Sequence, residues 1–392
     1  MTIRTGLMAT ACVALLAPAA LAQSDEPLRL GAFVPVTGAG ALGEGSLAAV
    51  ELAVEEINAG GGILGRSLDL TVADYQTDPA IGVGEANRLI HQVGIDMAVG
   101  PTYSQVTLAT LPLLSGAQVP SINVSGAASI TPDVAPFSFS MLANAETQAQ
   151  AMVNNAIDVF EAQSFAILSD NGAQAKTAVA EIQRIVEEMG LEVTGVQEYN
   201  YSARDLTPQL LALQRGEPDA LLLFSSTGDD TANVLLGREQ LNWDVPISGS
   251  AGASLAAPAL EAGGPALYDN VVALANAGFS YCEADGRPER AVAFIEAMQA
   301  AHPDSADRYP MSFIASFYDA VYVLKAALEG TDGDLSGPAV AAWIEENAGS
   351  FEGVNNGLAA SAESHFLIGP STLRPVLPAT QDEYGIQQRA GC

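Results

Sequence analysis

The residues of this chain best suited to chemistry are small and polar, and they recur where strands should end. Thr102, Tyr103 and Ser104 follow the apolar run at 95–99, and Ser125, Gly126 and Ala127 follow another at 119–124. Asp170, Asn171 and Gln174 come after SFAILS, Ser225, Ser226 and Thr227 after DALLLF, and Ser250, Ala251 and Gly252 after 245–249. Hydroxyls and free backbone N–H groups at a helix start suit an anion such as a carboxylate. Any one of these residues reads equally well as an ordinary helix N-cap. Their repetition at strand ends, where open α/β sheets bind ligands, favours a cleft.

Catalytic constellations are missing from the sequence. It has no G-x-S-x-G, no H-E-x-x-H and no P-loop lysine. His91, His302 and His365 lack ligand spacing and read as surface or capping residues. The pairs Glu55-Glu56, Glu187-Glu188 and Glu345-Glu346 read as solvated helix faces. No catalytic residue, metal or cofactor is therefore expected. Gly38-Ala39-Gly40-Ala41-Leu42-Gly43 does match a dinucleotide fingerprint between a strand and a helix. That fingerprint needs an acid about 20 residues on. The acid ending the next strand, Asp74, is 31 positions past Gly43. The motif is better read as a tight turn that lets backbone approach a small molecule.

The elements that must position these residues alternate. Leu28, Leu30, Ala32, Val34 and Val36 alternate along a strand, and Val50, Ala53, Val54 and Ile57 make a helical stripe. A strand at 68–73 follows, then a helix starting at Asp78-Pro79. Residues 137–144 read as an extended connector, after which strands and helices alternate again through 249. Helices are expected at 288–301, 311–329 and 337–348, and a last strand at 373–377. Strand–helix alternation implies parallel sheets covered on both faces.

Residues 1–22 have the form of a secretory signal, with Arg4, the apolar run Met8–Leu16 and Ala20-Leu21-Ala22. No later stretch reads as long and apolar enough to be a transmembrane helix. With 15 Lys+Arg against 46 Asp+Glu, net charge −31, the chain repels nucleic acid and anionic surfaces. Cys282 and Cys392 remain beyond the signal, either a disulfide or two unrelated thiols.

The segments GAFVPVTGAGALGEG, ELAVEEINAGGGILGR, the Asp78-Pro79 start, AVGPTYSQVTLA, VPSINVSGA and DALLLFSSTGDDTANVL with PISGSAG run in order along nearly the whole chain. As a set they resemble the type I periplasmic solute-binding proteins of the leucine/isoleucine/valine-binding family, which feed ABC importers. The resemblance implies an α/β fold of two Rossmann-like lobes joined by a three-crossover hinge, with the ligand cleft between them. It divides the chain into 23–140 plus 283–352 for one lobe and 141–282 plus 353–392 for the other. It implies a periplasmic monomer that closes on a small solute and docks on ABC permease membrane subunits, with no nucleic-acid partner. A ligand-sensing domain of the same fold is the alternative, and a nucleotide-dependent enzyme a more distant one.

Residue by residue, the resemblance assigns the ligand's carboxylate to Ser104 and Ser125, with Thr102, Tyr103 and Gly126 in the same turns. Ala127 stands where the family has a threonine, and Gln174 where it often has a tyrosine; a further tyrosine is expected near Ser226. Leu42 takes the place of an aromatic over the ligand. Ala251 takes the place of the acid that pairs with an α-ammonium. A buried charge without its partner costs roughly 3–5 kcal/mol. The expected ligand is thus an amino acid or a related small carboxylate, including acids without an amino group.

Overall fold

The structure is a computed structural model and describes residues 26–201 and 203–392. The signal assigned to 1–22 lies outside the described residues.

The first half builds a five-stranded parallel sheet. Its elements are β1 (Leu28–Val34), α1 (Gly40–Ala59), β2 (Leu68–Asp74), α2 (Pro79–Arg88), β3 (Met97–Val99), α3 (Ser104–Gly116), β4 (Ser121–Asn123) and β5 (Ser138–Ser140). The strand order is β2-β1-β3-β4-β5. β1 shows why both faces must be covered. Leu28, Leu30, Ala32 and Val34 pack into the cluster that holds the buried stripe of α1. Phe33, facing the other way, joins Tyr75, Leu89, Ile95 and Val106. Each such side chain, fully buried, contributes about 1.5–3 kcal/mol. Asp78 caps α2 through its carboxylate, with Pro79 in the first turn, as the sequence predicts. Within the connector read at 137–144, Ser138–Ser140 adds the fifth strand, a correction.

The second half contributes α4 (Ala145–Phe160), β6 (Ser164–Asp170), α5 (Ala173–Glu188), β7 (Glu192–Tyr199), α6 (Thr207–Gln214), β8 (Ala220–Phe224), α7 (Gly228–Gln240), β9 (Ile247–Gly249), α8 (Ala257–Gly263) and β10 (Val271–Asn276). After β11 (Ser280–Tyr281), the helices α9 (Glu289–Ala301), α10 (Ser305–Arg308), α11 (Met311–Gly330) and α12 (Gly337–Asn347) return to the first sheet. There α9 and α11 pack on α1. The chain ends with β12 (Leu373–Val376) and β13 (Gln387–Gln388). The second sheet runs β12-β10-β9-β8-β6-β7, with only β12 antiparallel. The chain thus passes between the sheets three times: after β5, after β10 and before β12.

Three further expectations are corrected. α11 is long and apolar enough to cross a membrane. It is a core helix, with twelve buried residues that include Asp319. His365 is not a surface residue: it is 3% exposed and stacks on Phe139 with ring centroids 4.0 Å apart. Its Nδ1 lies 3.0 Å from the Ser138 carbonyl and its Nε2 3.0 Å from Glu345. Glu56 is not a solvated acid either, since Tyr318 and Tyr322 both donate to its carboxylate, at 2.6 and 2.8 Å. Of the two open readings of the cysteines, the disulfide holds: Cys282 is bonded to Cys392. Beside it β11 pairs with β13.

Candidate functional site

The carboxyl ends of the two sheets face each other, and the loops that leave them carry the polar residues. Ser104 begins α3, and Ser125 follows β4. Their hydroxyl oxygens are 2.9 Å apart, with Ser104 8% exposed and Ser125 fully buried. The Ser125 N–H donates to the Asn123 side chain at 3.1 Å, which fixes the turn. Thr102 donates its hydroxyl to the Val124 carbonyl at 2.9 Å and so ties the two turns together. Its N–H donates to the Tyr75 hydroxyl at 3.3 Å. The N-cap of α3, Tyr103, makes no side-chain cap, so the first turn of that helix keeps N–H groups and positive dipole for an anion. Tyr103 packs edge-on against Tyr75.

From the second sheet come Gln174 at the start of α5, Ser226 after β8 and Ala251 after β9. Tyr201, in the loop after β7, donates to the Ser226 hydroxyl at 3.3 Å. Asp170, fully buried at the end of β6, accepts the Gly172 N–H at 2.8 Å and the Ser226 N–H at 2.9 Å. Burial raises its carboxyl above the usual range, and those N–H donors oppose the shift. Each Asp170 oxygen thus accepts a backbone N–H from a different loop, and the carboxylate braces the two loops. Ala251 donates its N–H to the Gln148 side chain at 3.0 Å, and the Gln148 amide donates to the Ala143 carbonyl at 3.1 Å. Burial also raises the phenol pKa of Tyr103 and Tyr201, with Asp230 adding to the shift of Tyr103 and Asp170 to that of Tyr201. Both rings therefore remain neutral hydrogen-bond donors.

The two walls touch. Gln174 donates to the Ala143 carbonyl at 3.4 Å and lies against the backbone of Gly126. A Cβ at Gly126 would fall 2.0 Å from Gln174 Nε2 and 2.5 Å from the Ala143 carbonyl oxygen. Gly126→Ala is expected to destabilise the protein by about 1–3 kcal/mol, as overpacking does. Adding Gln174→Ala should recover only part of the loss, because the carbonyl cannot swing away. Urea unfolding of the single and double variants checks this; full recovery in the double variant would contradict the carbonyl clash.

The remaining positions lie in other surroundings. Ala127 is buried in the apolar cluster beneath the first-sheet turns, with Phe33 and Val106. Leu42 is half-buried in the first turn of α1, and its carbonyl accepts the Ser46 hydroxyl at 2.7 Å. The glycine turn before it is held by Asp74, whose carboxylate accepts the Thr37 N–H at 3.1 Å. The acid that sits too far along for a dinucleotide is a strut for that turn. Sequence reasoning passed over Gln148 and did not fix Tyr201; the only signal was the expectation of a tyrosine near Ser226. Among the described residues, no three His, Cys, Asp or Glu side chains cluster to hold a metal ion. Each serine hydroxyl bonds the other, and both can turn to donate to an anion.

A family model described as periplasmic binding protein matches residues 27–379. The Leu/Ile/Val-binding protein BraC3 of Rhizobium johnstonii is 33% identical over 181 residues, which cover 45% of this chain and 47% of BraC3. The chain thus spans about half the length of that relative. Among solved structures, a type 1 periplasmic binding protein from Bordetella pertussis superposes with a TM-score of 0.77 at 25% identity, covering 90% of this chain and 96% of that one. A solute-binding protein of an ABC transporter from Rhodopseudomonas palustris, solved with 3,4-dihydroxybenzoic acid, gives 0.74 at 19% identity, covering 90% and 93%, a likeness of fold. The chain belongs to the periplasmic binding protein family, in its type I, leucine/isoleucine/valine-binding branch. The relatives named above are a Leu/Ile/Val-binding protein, a periplasmic binding protein and a solute-binding protein.

Proposed function

We propose that the chain is the periplasmic substrate-binding component of an ABC importer, taking an amino acid or a related small carboxylate to its permease. The observation that carries this reading is the buried Ser104–Ser125 pair at the start of α3. Two hydroxyls and the free N–H groups of a helix terminus form a donor set for one carboxylate. The named ligands of the relatives, leucine, isoleucine and valine on one hand and 3,4-dihydroxybenzoic acid on the other, share that group and differ in the rest. The proposed site comprises Thr102, Tyr103, Ser104, Ser125 and Gly126 from the first lobe, with Gln174, Ser226 and Ala251 closing from the second. Leu42 and Ala127 shape its apolar side. The protein works as a monomer, its solute docking on the first lobe before the hinge closes. We draw the third crossing after Leu367 rather than at 353, because Leu367 donates to the Ser140 carbonyl at 2.8 Å and so stays with the first sheet.

A thermal-shift panel tests the reading. Leucine, valine, 2-oxo acids and hydroxybenzoic acids are compared with leucinol, which keeps the amine and lacks the carboxylate. A specific ligand at 100 times its Kd adds about 2.7 kcal/mol. The largest shifts are expected from carboxylates, with none from leucinol. A leucinol shift equal to that of leucine would overturn the serine-pair reading.

A further inference from the structure

Each sheet has one point where neighbouring strands send their connections in opposite directions. In the first sheet it lies between β1 and β3, with β2 beyond one and β4 beyond the other. In the second it lies between β6 and β8, with β7 beyond one and β9 beyond the other. Open α/β sheets bind ligands in the crevice at the carboxyl ends of such strands. The loop after β3 brings Thr102, Tyr103 and Ser104 to the first crevice. The loops after β6 and β8 bring Asp170, Ser226 and the first turn of α7 to the second.

That turn carries Asp230, which is 1% exposed although Asp229 beside it faces solvent. The Asp230 N–H donates to the Thr227 hydroxyl at 3.1 Å, which fixes the turn. Gly228, about 200° away around the helix, packs on Leu255 and Pro258. Asp230 therefore faces the loop after β7, as does Asn233 one turn on, which donates to the Ala203 carbonyl at 3.2 Å. On that side stands Tyr199, 2% exposed, whose hydroxyl is buried with no hydrogen-bond partner. The Ser225 hydroxyl beside it donates to the Thr227 carbonyl instead, at 2.8 Å. The charge of Asp230 acts on Tyr199 and also on Tyr103 of the facing lobe. It is Asp230, not Asp170, whose charge reaches Tyr103, next to Ser104.

We propose that Asp230 is a specificity-determining residue of the cleft: its carboxylate takes the ammonium of a ligand whose own carboxylate sits on Ser104 and Ser125, so that the solute is an amino acid and not an amine-free acid. The assignment rests on the serine-pair reading and adds the ligand's second charge to it. The second crevice buries two carboxylates, Asp170 and Asp230. Buried charge is costly unless an opposite charge answers it. The basic side chains nearest to them in sequence are engaged elsewhere. Lys176 pairs with Glu198 at 3.8 Å, and Arg238 donates to the carbonyls of Val245, Leu267 and Asp269. Asp170 braces two loops through backbone N–H groups, which leaves Asp230 as the acid that looks across the cleft. An ammonium has three N–H donors, so the free Tyr199 hydroxyl can accept from the same group.

Calorimetric titration of the full chain with matched pairs tests the assignment. Alanine is compared with lactate, leucine with 2-hydroxy-4-methylpentanoate, and 4-aminobutanoate with 4-hydroxybutanoate, so that each pair differs only in amine against hydroxyl. In the pair that binds most tightly, the amine should be preferred about 100-fold or more. In Asp230→Asn the preference should fall to within about threefold, by loss of amine binding with the hydroxy acid little changed. Asp229→Asn should leave the preference as in the parent. Asp230→Glu keeps the charge and should keep the preference, and it stands with the parent comparison if Asp230→Asn does not fold. Equal binding of amine and hydroxy acid in the parent would overturn the assignment and leave the serine pair standing. An amine preference retained in Asp230→Asn would overturn it too. Binding of neither series would remove the carboxylate reading, and this assignment with it.

Discussion

Replacing Ser104 and Ser125 together by alanine is expected to weaken carboxylate binding about 100-fold or more while barely changing the ligand-free protein. A hydrogen bond to a charged group is worth about 1.5–3 kcal/mol, and two such donors are removed. The ligand-free cost is small for a different reason. The two hydroxyls bond each other, and removing both leaves neither buried without a partner. A single Ser104→Ala change strands the Ser125 hydroxyl, which is fully buried, so it should cost more stability than the double change relative to what it removes. Calorimetric titration with the carboxylate that gives the largest thermal shift, with urea unfolding in parallel, measures both effects. A double variant that binds like the parent would remove these serines from the site.

Breaking the Cys282–Cys392 disulfide is expected to be the largest single loss of stability, about 4–5 kcal/mol on the chain-entropy account for a loop of this length. The sequence separation is 110, so the bond removes much freedom from the unfolded chain. The folded tail has other anchors. Gln387 donates to the Ser254 carbonyl at 2.6 Å, and Arg389 donates to the Ser280 hydroxyl and carbonyl, both at 3.1 Å. The tail should therefore stay docked when the bond is cut, and the effect should act mainly through the unfolded state. Urea unfolding of Cys392→Ser and of the reduced parent should give the same lowered midpoint with the cleft intact. A change below about 1 kcal/mol would count against the loop-entropy account.

The parts of the fold legible in the sequence are those where one element repeats a period several times. Val50, Ala53, Val54 and Ile57 announce the buried face of α1, and Asp78-Pro79 announces the start of α2. β5 is hidden because three residues, Ser-Phe-Ser, are too few to show alternation. His365 and Glu56 were misread because their partners lie far along the chain, in α12 and α11, and spacing carries no information about such contacts. The candidate site divides the same way. Its serines are visible because each lies in or just after the turn that follows a strand. Gln148 is in the first turn of α4 rather than at a strand end, and only the fold brings it to Ala251. Asp170 was visible as a residue at a strand end, but its task was not. Only the two N–H groups pointing at it show that it braces the loops.

The last part of the chain also finishes both sheets. Phe366 forms a parallel bridge with Ser140 on the open side of β5, and β12 closes the open side of β10. Exposed strand edges are templates for pairing with other chains. A polypeptide made from its N-terminus carries these two open edges, one on each lobe, until residues 366–376 emerge. Neither lobe can be completed early. Both lobes thus depend on residues beyond 365 for their last strand contacts, and the order of synthesis delays the finished sheets until those residues are available.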